Sequence, residues 1–281
     1  MDCRCLCSAC SCLLDKPFNI RYFEQRCAAN FLVVRGVLRL SIKYVVEHLR
    51  QECLKILHHD WPITLAAWDV REREAISANG VYESARIRPH PIFIIKLAHE
   101  LGPVGATLLP AAFYDLSRYN CSHIWMGCPN LLQGSSGNTN VGTGVTRLSM
   151  ADMQTVMIGK EASQNFIARF LRQELGNMDI CEHGPYGHGS DCRHAFGDLA
   201  HDLYRGIVGV TCGRDSDPLF TLDAAVRMQG IEVVDESIGM HPASRVCEQC
   251  RTKFAQVVLA TRYYVWNHLP SWFGLENGLH P

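Results

Sequence analysis

Apolar residues in this chain recur at helical spacing, segment after segment, with little of the one-in-two alternation that a half-buried strand requires. From Phe31 the pattern runs Val33, Val34, Val37, Leu38, Ser41, then Tyr44 and Val45. A second stripe follows at Leu49, Cys53, Ile56 and Leu57, with Lys, Arg, Gln and Glu on the opposite face. Two short helices joined by a tight corner are expected over 33–57, packed together and into a core.

The punctuation between later segments supports the same class. Pro62 ends the second helix, because the residue before a proline is pushed out of the α region. Residues 71–90 are polar and charged and read as an exposed loop. Helices over 92–101 and 108–119 are separated by a turn at "GPVGAT". A Gly/Ser/Asn/Thr-rich stretch, 131–146, lacks the Lys-Ser or Lys-Thr pair of a phosphate loop and reads as a linker. The longest helix is expected over 149–175, opened by a capping-box-like Ser149 and Asp152 and carrying Met153, Val156, Phe166, Ile167, Phe170 and Leu171 on one face. A loop rich in Gly and His at 176–191 precedes helices near 192–208, 219–230 and 244–268, and the best strand signal is "GIEVV" at 230–234. The fold class is therefore mostly α with little β.

Composition narrows the functional classes. The chain has 281 residues, 47% of them hydrophobic and 20% charged, enough apolar material for a sizeable core. Its formal net charge of −1 supplies no global field for polyanions, which disfavours a nucleic-acid role. Without a secretory-type start or an uncharged apolar run of membrane-spanning length, the chain reads as an intracellular protein that does not span a membrane. Its 14 cysteines are accordingly read as buried thiols or metal ligands and not as disulfides. Cys3, Cys5, Cys7, Cys10 and Cys12 crowd the first twelve residues, either as an unstructured tail or as a soft-metal or lipid-acceptor knot.

The strongest candidate site is a cysteine set. Cys181 and Cys192 flank a loop with His183 and His188, and Cys247-x-x-Cys250 opens the last long helix. A Cys-x-x-Cys at a helix start places both sulfurs on one side. Two such pairs could supply four thiolates to a structural zinc, Cys181, Cys192, Cys247 and Cys250, pinning the loop to the helix. The alternative is that Cys247 and Cys250 are small core residues. Cys121 and Cys128, with His123 between them, form a second possible cluster, whereas Cys27, Cys53 and Cys212 read as buried thiols. Paired carboxylates such as Asp215/Asp217 and Asp235/Glu236 read as solvated. Phe254, Tyr263, Tyr264, Trp266, Trp272 and Phe273 either dock the tail on the core or offer an exposed anchor to a partner. No nucleophile-elbow, zinc-protease or dinucleotide motif is present, so no catalytic residue is assigned.

Leu38, Leu40, Lys43, Tyr44, Val46, Leu49, Cys53 and Leu57 resemble the C-terminal helix pair of BTB/POZ domains. Pro62, Thr64, Leu65, Trp68 and Asp69, then Leu97, Ala98, Glu100, Leu109, Pro110, Ala112, Phe113 and Tyr114, are similar in order and spacing to segments of BTB-domain proteins from mushroom-forming fungi. The closing "VCEQC … VWNHLPSWFGL" resembles the end of the same proteins. The resemblance implies the last BTB helices at 31–130, a linker at 131–148 and a helical extension at 149–281, behind a Cys-rich segment at 1–30. It also implies that most of the N-terminal BTB sheet, with its dimerisation elements, lies outside this sequence, so dimerisation does not carry over. The function implied is a truncated, non-enzymatic protein–protein interaction module whose partners are proteins. A zinc- or thiol-dependent enzyme, or a gene-model fragment without function of its own, are the alternatives.

Overall fold

The computed structural model describes residues 30–83, 88–130, 144–175, 189–208, 217–228 and 246–275. Of the described residues 79% are helical and 3% are in strands, the mostly-α composition expected from the apolar spacing. The "GIEVV" segment, the N-terminal cysteines, Cys27, Cys181, Cys212, Asp215 and Asp235/Glu236 lie outside these residues.

Two compact units are distinguished. The first comprises residues up to Ile56 together with Glu74–Pro89. It contains α1, Asn30–Lys43, and most of α2, Glu47–Asp60. Phe31, Val34, Leu38 and Ser41 are buried, following the predicted stripe, while Val33, Leu40 and Tyr44 stay exposed. The corner is a Schellman motif: Val46 N–H donates to Ser41 O at 2.8 Å and Val45 N–H to Ile42 O at 3.3 Å. Its left-handed position, usually glycine, is held by Val45 with φ of 55°.

The second unit comprises Leu57–Arg73 and His90–Pro281. It contains α3 (Leu65–Glu74, except its last residue), α4 (Pro91–Leu101), a 3-10 turn (Gly102–Leu108), α5 (Leu109–Ser117) and α6 (Cys121–Met126). A two-residue antiparallel pairing, Cys128–Pro129 with Val145–Thr146, precedes α7, Met150–Phe170, which ends in a π turn at Leu171–Leu175. Then come α8 (Gly189–Val208), α9 (Pro218–Met228) and α10 (Glu248–Trp272). Ser149 caps α7 as predicted: its hydroxyl accepts from Asp152 N–H and donates to the Asp152 carboxylate. The longest described helix is α10, which runs on through Pro270.

Pro91–Ser117 is apolar and long enough to cross a membrane by length and composition. Ile92, Ile94, Ile95, Leu97, Phe113 and Leu116 are nonetheless buried inside the unit, so core packing accounts for the apolarity. Lys160 of α7 donates to Ser117 O at 2.8 Å and Tyr119 O at 3.0 Å, a cation placed on the carbonyl end of α5. Helices α7, α8, α9 and α10 share one apolar core through Ile167, Phe170, Phe196, Leu222, Phe254 and Val258.

Two expectations are corrected. Residues 71–74 are not loop but the last turn of α3, and Arg71 and Glu72 are buried. Asp217, expected in solvent, is fully buried. The reason is the same in both cases: each charge meets opposite charges carried by distant segments.

Candidate functional site

Three features of the second unit concentrate polar or aromatic chemistry: a thiol cluster, a buried charge network and an aromatic groove.

Cys192 lies on α8, Cys247 is the N-cap residue just before α10, and Cys250 sits in its first turn. Their three sulfurs all lie within 4.8 Å of one another. Cys192 and Cys250 are buried, Cys247 half-buried. The Cys247 backbone N–H donates to Cys192 Sγ at 3.3 Å, bridging 55 positions of sequence. Beneath the cluster, Phe196 and Phe254, one turn further along their helices, meet at 5.4 Å. The structure thus brings together three of the four predicted zinc ligands, and the fourth, Cys181, lies outside the described residues. Cys121 and Cys128 do not join such a cluster among the described residues: Cys121 is exposed and Cys128 buried. Burial pushes the Cys128 thiol up to about 11, and the Cys53 thiol likewise, which suits inert core residues.

The charge network was not legible in the sequence. Arg71 donates through Nε to Asp60 O at 2.7 Å, through Nη1 to Glu72 at 2.6 Å and through Nη2 to Asp115 at 2.7 Å. Its guanidinium also lies over the rings of Trp61 and Trp68, at 5.0 and 4.4 Å. Arg118 reaches Glu72 at 2.9 Å, Asp217 at 2.8 Å and Asp115. Tyr114 donates its hydroxyl to Asp217, which also accepts from Leu219 N–H at 2.9 Å and so caps α9. Burial alone would push Asp115 up, but the Arg71 and Arg118 guanidiniums outweigh it and hold the carboxyl at about 2. Burial, then the Asp217 carboxylate, push Tyr114 well above its ordinary range, which keeps it a donor. Every carboxylate in the network is hydrogen-bonded to a fixed partner, so its chemistry is that of a closed structural lock. One signal was available in the sequence: Asp217 followed by Pro218 is a helix-start pair.

Between α7 and α10 runs a groove of about 420 Å³ lined by Ile158, Glu161, Ala162, Asn165, Phe166, Arg169, Tyr264 and Trp272. The six α7 positions recur at helical spacing on one face. Phe166 stacks on Tyr264 at 5.1 Å and tilts against Trp272 at 5.5 Å, and Tyr264 stacks on His268 at 3.7 Å. Ile158 is 61% exposed and Tyr264 47%. The C-terminal aromatics therefore divide. Phe254, Trp266 and Phe273 dock in the core, while Tyr263 and Tyr264 face outward.

Comparisons with protein-family models, curated proteins and solved structures give no match to this chain.

Proposed function

We propose that the chain is a non-enzymatic protein–protein interaction module, similar to the BTB-domain proteins of mushroom-forming fungi, that docks a partner helix in the α7–α10 groove. The observation behind this reading is the aromatic wall of Phe166, Tyr264 and Trp272, left partly exposed along a helix pair. Aromatic side chains in a groove supply large contact area at low entropic cost and dominate binding energetics. Glu161 and Arg169 lie on the α7 side of the groove, eight residues or about 12 Å apart. That spacing suits an amphipathic partner helix with an aromatic or large aliphatic anchor, a basic residue facing Glu161 and an acidic one facing Arg169. The resemblance of residues 31–114 and 246–275 to the fungal proteins points to the same class of activity.

The test is affinity purification with mass spectrometry, run in parallel on the wild-type chain, Tyr264→Ala and Glu161→Lys. The expected result is a partner recovered reproducibly with wild type, depleted about ten-fold or more by either substitution. Identical recovery from all three proteins, or no specific partner from any, would sink the reading.

A further inference from the structure

We propose that Cys192, Cys247 and Cys250 form a thiolate site for a soft divalent cation of the zinc type, joining α8 to the first turn of α10. The site stands independently of the groove and of any partner. Three thiols that merely fill a core have no reason to converge on one point, yet these sulfurs all lie within 4.8 Å of one another although they come from two elements. A tetrahedral zinc with Zn–S bonds of about 2.3 Å places its sulfurs about 3.8 Å apart, so a closure of no more than about 1 Å brings the trio onto a metal.

The backbone around the trio suits a site that holds a cation. Cys247 and Cys250 occupy the start of a helix, where the unpaired N–H groups and the aligned peptide dipoles favour negative charge. The Cys247 N–H already donates to Cys192 Sγ at 3.3 Å. Hydrogen bonds of this kind to a ligand sulfur are the outer shell that orients and tunes thiolate sites. Half-buried Cys247 gives an ion a way in, while buried Cys192 and Cys250 give it a dry inner side. Cys53 and Cys128 make the contrast: each is a buried thiol outside any described donor cluster.

The charge balance also holds. Binding releases one proton from each thiol, and three thiolates around a dication leave one net negative charge next to the helix start. A tetrahedral ion would draw its fourth ligand from outside the trio. Cation binding would fix the beginning of α10 on α8, so that the Phe196–Phe254 contact one turn deeper is held from its end.

The experiment uses the full chain, purified under reducing conditions. Elemental analysis should find one zinc per chain. After chelation, titration with Co²⁺ should produce the near-ultraviolet sulfur-to-cobalt charge-transfer bands and the visible bands of a tetrahedral site, both abolished by added Zn²⁺. Cys247→Ser, at the half-buried position, should weaken Co²⁺ binding more than about ten-fold and reduce the charge-transfer intensity, with circular dichroism confirming that the variant is helical. Cys121→Ser, at an exposed thiol, should change neither. Absence of thiolate–cobalt bands in the wild-type chain overturns the proposal without reference to any variant. Equal binding by wild type and a folded Cys247→Ser overturns it as well.

Discussion

Arg71 Nη2 lies 2.7 Å from Asp115 Oδ2, joining the end of α3 to α5 through two side chains that are both buried. A buried ion pair contributes little over a well-packed apolar pair, but half of one is strongly destabilising. Arg71→Met should therefore cost roughly 3–5 kcal/mol, because it leaves Asp115 and Glu72 short of a cation and Asp60 O short of a donor. Adding Asp115→Leu should cost less than the sum of the two single changes. Urea unfolding of the four proteins checks this, and a loss below about 1 kcal/mol in Arg71→Met would contradict the lock.

Acid should act in two steps. Burial holds His90 at about 4 against an ordinary 6.5, and its ring nitrogen accepts from Ile92 N–H at the start of α4. The unfolded chain takes up that proton first, so stability falls as pH drops from about 6.5 to about 4. His58, also lowered by burial, adds to this step. Asp115, held at about 2 against an ordinary 3.8, stabilises the fold above about pH 4 and loses that effect as pH falls towards 2. His90→Asn keeps a capping acceptor without a titrating group. It should flatten the upper step of Tm against pH and leave the lower one, an outcome that an equally steep upper step would exclude.

A Cβ at Gly159 of α7 would come within 2.0 Å of the Phe273 ring, so the ring must move to admit one. That ring stacks on Phe113 at 5.7 Å and is a docking point for the end of α10. Gly159→Ala should destabilise by about 1–3 kcal/mol through overpacking. In a Phe273→Ala background the same change should become neutral or slightly stabilising, because alanine is the better helix former. Thermal melts of the cycle would show additivity if the contact were unimportant.

Val45 holds a left-handed backbone conformation in the α1–α2 corner while 83% exposed. A β-branched residue is strained there and glycine is not. Val45→Gly should raise stability by about 1 kcal/mol, having little packing to lose. A decrease in the denaturation midpoint would show that the exposed side chain has a stabilising role.

The helices were legible because a helix is a local event. The stripe at Phe31, Val34 and Leu38, the Ser149 cap and the stop before Pro62 each depend on residues a turn or so apart. The Cys247-x-x-Cys250 pair was legible for the same reason, since one helical turn places both sulfurs together. Apolar spacing was less reliable at its edges: Val33 and Tyr44 belong to the expected stripe yet are exposed, while Leu38, Cys53 and Leu57 are buried.

Only tertiary structure decided the fate of the charges and the third thiol. Arg71, Glu72 and Asp217 look like solvent residues in sequence, because, apart from the Arg71–Glu72 contact, the groups that neutralise them stand 44, 46 and 99 positions away. Burial of a charge depends on whether its complement arrives, and no local pattern encodes that arrival. Cys192 meets Cys247 across 55 positions under the same rule. The sequence by itself determined where helices form and which faces are apolar; the packing of those faces determined which polar groups were locked inside and which aromatics were left exposed along α10.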